Sequence, residues 1–162
     1  MGLIQSQPNL NYSYGSALGS FENAIPKIEG FVIDVNLPSN QTVKASINES
    51  LVLLQKNNIV IKNRSDVYRY LSLSPKLISI LSPICETTRE LFGLNTELSL
   101  ELYSDPEIKD QYLTLYVRQS NYDNNLLGKI NNISQQYEKE LSDADGYLLI
   151  TTDYRLPQLR NV

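Results

Sequence analysis

Glu97 and Arg118 close two alternating runs at their far ends, and Asp153 precedes Arg155 by two residues in a third. If those runs are neighbouring strands, the four side chains form a polar constellation, the first place to look for a catalytic group. Paired charges on a sheet face more often hold structure together than do chemistry. A second acidic set, Asp105, Glu107 and Asp110, lies in SDPEIKD, residues 104–110. Carboxylates bind Mg²⁺ or Ca²⁺, but the spacing and glycine of an EF-hand loop are missing, and Pro106 suits a turn. A solvated turn is therefore expected there.

Other chemistry is excluded by residue type. The chain has no histidine, which removes the usual acid-base group near neutral pH and the commonest metal ligand. Its one cysteine, Cys85, cannot form an internal disulfide or, without histidine, a Cys/His zinc cage. Beside Ile84 and one turn before Thr88 and Arg89, it reads as a small buried hydrophobe. Gly128-Lys129 lacks the earlier glycine of a phosphate loop, and GSALG, residues 15–19, has Ala17 where a nucleophile elbow needs serine.

Charge limits the partners. Fourteen basic residues are scattered among eighteen acids for a net charge of −4, which argues against nucleic acid as a ligand. No apolar run approaches the ~20 residues needed to span a bilayer, so no membrane association and a cytoplasmic, reduced setting are expected.

The elements that must position these residues follow from periodicity. Residues 1–27, rich in Ser, Asn, Gly and Gln, read as a flexible N-terminal arm; 28–157 form a single α+β domain, and 158–162 a tail. FVIDV within residues 30–38 is a weak strand candidate before Pro38. Val43, Ile47, Leu51 and Leu54 recur at helical spacing over 41–57, and NIVIK, residues 58–62, is a brief extended segment. Ser65 starts a second helix, and Ser74-Pro75 and Ser82-Pro83 each place a cap residue before proline, predicting two more short helices before Gly93.

The strongest pattern is LSLELYSDPEIKDQYLTLYVR, residues 98–118. Leu98, Leu100 and Leu102 alternate with Ser99, Glu101 and Tyr103, and Leu113, Leu115 and Val117 with Tyr112, Thr114, Tyr116 and Arg118. One antiparallel register puts all six aliphatics on one face. It sets Glu97 opposite Arg118, Glu101 opposite Thr114 and Tyr103 opposite Tyr112. Asp123 then caps a helix with Leu126, Leu127, Ile130, Ile133, Tyr137 and Leu141 on one stripe, and YLLITTDY, residues 147–154, follows the turn DADG as a third strand.

The expected fold is α+β: N-terminal helices followed by a β-β-α-β unit with a three-stranded mixed sheet. If the strand at 30–36 joined, the order would be the ferredoxin-like β-α-β-β-α-β.

NRSDVYRYLSLSPKL, ELSLELYSDPE, YLTLYVR and GYLLITTDYR together resemble a family of small, uncharacterised bacterial α+β proteins, over about residues 59 to 157. The resemblance implies no activity and no catalytic residue. It suggests an accessory or partner component encoded beside a second protein.

The tyrosines sharpen that expectation. Tyr103, Tyr112 and Tyr116 share the outer face of the hairpin, with Tyr147 joining from the third strand. Together with Glu97 and Arg118 they form the candidate partner-binding surface of a non-enzymatic interaction protein, which requires no cofactor or metal. The competing structural expectation is that the N-terminal helices cover this face. A homo-oligomer is compatible with the same surface. The second functional reading is a small enzyme working through carboxylates and Tyr or Lys, with Mg²⁺.

Overall fold

Two short-period hydrophobic runs and four longer helical ones must share one core, and the chain solves this with a sheet whose aliphatic face the described helices cover. The computed structural model describes residues 40–108 and 110–158. The arm at 1–27 and the strand expected at 30–36 lie outside the described residues.

The first helix, α1 (Asn40–Lys56), buries Ile47, Leu51 and Leu54 from one stripe. It stops at Asn57 and Asn58, the latter in the left-handed region at φ 58, where asparagine is tolerated better than most side chains. Strand β1 (Ile59–Ile61) follows, then α2 (Arg64–Leu73) and α3 (Lys76–Phe92). The hairpin is β2 (Glu97–Ser104) and β3 (Gln111–Arg118), and α4 (Leu126–Gln136), α5 (Glu138–Ser142) and β4 (Leu148–Thr151) complete the order.

The sheet has four strands in the order β1-β2-β3-β4, which corrects the expected three. β1 pairs in parallel with β2, Ile59 opposite Leu98 and Ile61 opposite Leu100. NIVIK is extended as its composition implies, but three paired residues are too few to show a period, so its place in a sheet was not readable. The ferredoxin-like alternative is also overturned, because each strand neighbours its sequence successor and no βαβ unit is split by an intervening strand. The hairpin register is the expected one, with Glu97 opposite Arg118, Glu101 opposite Thr114 and Tyr103 opposite Tyr112.

Two helix boundaries differ from the sequence pattern. The two short helices at Ser74-Pro75 and Ser82-Pro83 are one helix, α3, which runs through Pro83. The ring costs a backbone hydrogen bond, yet Leu81, Ile84 and Cys85 on either side are fully or almost fully buried, and their packing outweighs the local break. The long helix expected after Asp123 is interrupted at Tyr137, whose hydroxyl is 2.7 Å from Thr87 Oγ1 and donates to the Pro83 carbonyl at 3.2 Å. That side chain ties α4 to α3 at the cost of helix regularity.

Ile59, Leu98, Leu100, Leu113, Leu115, Val117, Leu148 and Ile150 form one core with the buried stripes of α1 to α4. Both parallel crossovers, β1 to β2 and β3 to β4, therefore lie over the aliphatic face. The first strand pair runs opposite to the second, so crossovers on one face have opposite hands, and only one can follow the right-handed preference. No described helix lies on the other face.

Gly146 is a close approach between the two halves. A Cβ placed there would meet Ser74 Oγ at 2.5 Å, Ser74 Cβ at 2.6 Å and Leu77 Cδ1 at 2.9 Å. The same junction is stitched by Ser74 Oγ donating to the Asp145 carbonyl and the Lys76 N–H donating to Asp145 Oδ1. Gly146→Ala is expected to destabilise the fold by about 1–3 kcal/mol, as overpacking does in tight sites. Urea unfolding of the two proteins checks this; equal midpoints would show that α3 yields freely at this point.

Candidate functional site

The face left uncovered by described helices divides into a charged end and an aromatic end. The charged end begins at Arg118, 2% exposed in its side chain, at the last position of β3. Alternation places it on the same face as Glu97, its cross-strand partner, and as Asp153, which lies two residues beyond the Tyr116–Thr151 pair. Its Nη1 donates to Glu97 Oε1 at 3.0 Å and its Nη2 to Glu101 Oε1 at 2.9 Å. Asp153 takes the fork side: Nε donates to Oδ1 at 2.9 Å and Nη2 to Oδ2 at 2.7 Å. The Tyr116 ring lies under the guanidinium, 4.8 Å from its centroid.

The carboxylates have further partners. Lys62 Nζ is 3.4 Å from Glu101 Oε1, and Ser99 Oγ donates to the same oxygen at 2.8 Å. Arg155 Nε is 3.4 Å from Asp153 Oδ2. The Gln158 N–H donates to Glu97 Oε2 at 2.5 Å, which holds the chain after β4 against the start of β2. Glu97, Glu101 and Asp153 thus face Arg118, Lys62 and Arg155, a balanced set of charges.

The electrostatics are those of a lock. Hydrogen bonds from Arg118 hold the Asp153 carboxyl below its usual range against the opposing effect of partial burial. Burial pushes the Glu101 carboxyl up, but hydrogen bonds from Arg118 and Ser99 and the charges of Arg118 and Lys62 outweigh it, and the net direction is down. Arg118 is driven further above its already high value, chiefly by the Asp153 bonds. Burial and the carboxylates of Glu101 and Asp153 raise the Tyr116 hydroxyl, so it stays protonated at neutral pH. Asp153 and Glu101 are held toward their charged forms and Tyr116 toward its protonated one, so none of these three is poised for proton transfer near neutrality.

The aromatic end is different. Tyr103 and Tyr112 stack with centroids 4.9 Å apart, and Tyr112 meets Tyr147 edge to face at 5.5 Å. Tyr103 is 39% exposed and Tyr147 60%, so the row is an exposed aromatic patch at the hairpin-tip end of the sheet. It is held from behind by α2: Tyr70 Oη accepts the Tyr147 N–H at 2.9 Å. Of the six residues singled out in the sequence, Tyr103, Tyr112 and Tyr147 form this patch, while Glu97 and Arg118 are buried in the charged end and Tyr116 is half-buried over Arg118. Glu101, Lys62 and Ser99 are cluster members that sequence reading missed. Pairing β1 with β2 would have revealed Lys62, which follows Ile61 opposite Leu100 and so lies beside Glu101.

Two other groups are accounted for. Cys85 is buried on α3, where desolvation pushes its thiol up to about 12 and keeps it protonated. Among the described residues no group of three or more Asp, Glu or Cys is arranged to hold a metal ion, and no helix is long and apolar enough to cross a membrane.

No protein-family model, curated protein or solved structure matches this chain. The resemblance to small bacterial proteins thus rests on the quoted segments alone and assigns no family; what stands is a small α+β protein with a four-stranded mixed sheet.

Arg118→Met would leave Glu97, Glu101 and Asp153 gathered without their common cation, and a loss of about 3–5 kcal/mol is expected. Asp153→Asn, which keeps the shape and gives up one charge, should cost less, about 1–3 kcal/mol. Chemical denaturation of both variants measures the ranking, and a more stable Asp153→Asn protein would contradict the lock.

The pH dependence has a definite sign. Asp153 and Glu101 have folded values below their unfolded ones, so their stabilisation is complete above the ordinary carboxylate values of about 4 and is lost as pH falls through the depressed folded values. Unfolding free energy measured in a pH series should therefore fall steeply below about pH 4. The Asp153→Asn protein should show a shallower fall.

Proposed function

We propose that the protein is a non-enzymatic interaction module that docks another protein through the row Tyr103, Tyr112 and Tyr147, with Tyr116 at its inner border. Glu97 and Arg118, first grouped with the tyrosines, act in this reading as the frame that holds the strands in place. The observation that carries it is an exposed row of aromatic rings in mutual contact, one pair stacked and one edge to face, on a sheet face that no described helix covers. Tyrosine suits this task because a large amphipathic surface is presented with little side-chain entropy to lose. Stacking against neighbours reduces that loss further.

No cofactor is required for such a role. A protein partner fits better than nucleic acid, since the net charge is −4 and the three cations of the charged end are already matched by carboxylates. A cytoplasmic setting accords with the reduced state of a single buried cysteine. The enzyme reading gains nothing from Glu97 and Asp153, because Arg118 engages both carboxylates and the chain has no histidine to serve as a base near neutral pH.

The test uses native purification of the full chain followed by Tyr103→Ser with Tyr147→Ser. A stoichiometric partner should co-purify with the parent protein and bind the double variant at least about tenfold more weakly, with the unfolding midpoint little changed. Unaltered binding by a folded double variant overturns the reading. Collapse of the fold does so too, because it would make the row core.

A further inference from the structure

The aromatic row continues into a pair of acids, Asp105 and Asp110, that no described cation meets. One step beyond the Ser104–Gln111 pair that ends β2 and β3, and so two residues beyond the Tyr103–Tyr112 pair, come Asp105 and Asp110; the Asp105 N–H donates to the Asp110 carbonyl at 2.9 Å, so the two oppose each other. Like charges directly opposite are unfavourable in an isolated sheet. Neither carboxylate makes an ion pair with a described residue, in contrast to the charged end, where every acid meets a cation. Asp105 Oδ1 accepts the N–H groups of Glu107 and Ile108, which fixes it in the turn, while Asp110 and Glu107 are exposed. The Asp110 charge reaches the tyrosines: after burial and the neighbouring Tyr103, it helps to raise the Tyr112 hydroxyl.

We infer that the surface accepts a basic segment of a partner protein, an arginine or lysine opposite Asp105 and Asp110 with an apolar side chain on the Tyr103–Tyr112–Tyr147 row. This rests on the docking role proposed above and adds the chemistry of the partner. The complementarity is specific in spacing. Consecutive same-face pairs on a strand lie roughly 7 Å apart, so a cation and an apolar group two residues apart in an extended segment match the acid pair and the stacked pair together. An incoming guanidinium would also come close to the neighbouring Tyr103–Tyr112 pair, where cation–π attraction adds to the charge pairing. A second copy of this chain is a poorer occupant. A two-fold pairing of the same patch would gather four aspartates without supplying a cation from the described part of the face.

The experiment is a titration of the full chain with an eight-residue peptide repeating arginine-serine-leucine-serine, followed through the protein's own tyrosine emission, which no tryptophan obscures. The control peptide has glutamate in place of arginine. The arginine peptide should bind saturably and weaken with added salt, and the glutamate peptide should bind at least about tenfold more weakly. Asp105→Asn with Asp110→Asn should weaken the arginine peptide about tenfold. The asparagine at 105 keeps an acceptor for the turn. Equal binding of the two peptides, or none of either, overturns the inference. If the asparagine pair has no effect while Tyr103→Ser with Tyr147→Ser abolishes binding, the docking face stands and the basic partner falls. If the serine pair has no effect on arginine-peptide binding, both fall. A salt-insensitive dimer of the free protein that shields the row would make a second copy the occupant and overturn the inference as well.

Discussion

The guanidinium of Arg118 is the constraint on which the sheet is organised. It is buried, permanently charged and hydrogen-bonded to carboxylates from three places in the chain: Glu97 and Glu101 on β2, and Asp153 beyond β4. A register slip of one residue would turn it toward the aliphatic face, beneath the helices and away from all three acids. Burying an unpaired ion costs several kcal/mol, more than the slipped pairs could return. The register that saves Arg118 also brings Tyr103 against Tyr112, and puts Leu98, Leu100, Leu113, Leu115 and Val117 on the helical side.

A second constraint decides what the other face is free to do. Had both crossovers been right-handed, α2 and α3 would lie on one side of the sheet and α4 on the other, and a helix would cover either the tyrosine row or the charged cluster. Opposite hands collect the buried stripes of α1 to α4 on the aliphatic face. The unusual crossover is tolerated because α3 and α4 pack directly against each other, with Tyr137 bound to Thr87 and to the Pro83 carbonyl. That contact exists only when both helices share a face. Fold topology and a sheet face free of the described helices are thus one fact.

Legibility in the sequence followed the length of each signal. The hairpin could be read to the level of residue pairs because three aliphatics alternate with polar and aromatic residues on each strand and the charges and aromatics agree with them. β1 could not, since Ile59 to Ile61 show composition without period, and the missing strand took Lys62 out of the charged cluster with it. Pro83 and Tyr137 misled for the opposite reason: the local signals for a helix start and for a continuous helix were clear, and tertiary packing overrode both. At the site, alternation identified Glu97, Arg118 and Asp153 as potential neighbours. Which of the singled-out side chains would be buried depends on neighbours contributed by other strands, which no single run encodes.

The two ends of this face have contrasting demands, and the strands separate them. Glu97 and Tyr103 are six residues apart on β2, roughly 20 Å along an extended chain. At the Arg118 end charge is neutralised internally and side chains are fixed, so the strands behave as a rigid frame. At the tyrosine end the rings are organised by one another and by Tyr70 from behind, yet Tyr103 and Tyr147 stay exposed, and neither Asp105 nor Asp110 makes an ion pair with a described residue. In the docking role proposed above, a frame rigid at one end with an exposed aromatic row at the other would reduce the ordering cost of association and leave the favourable contacts to be made by what binds.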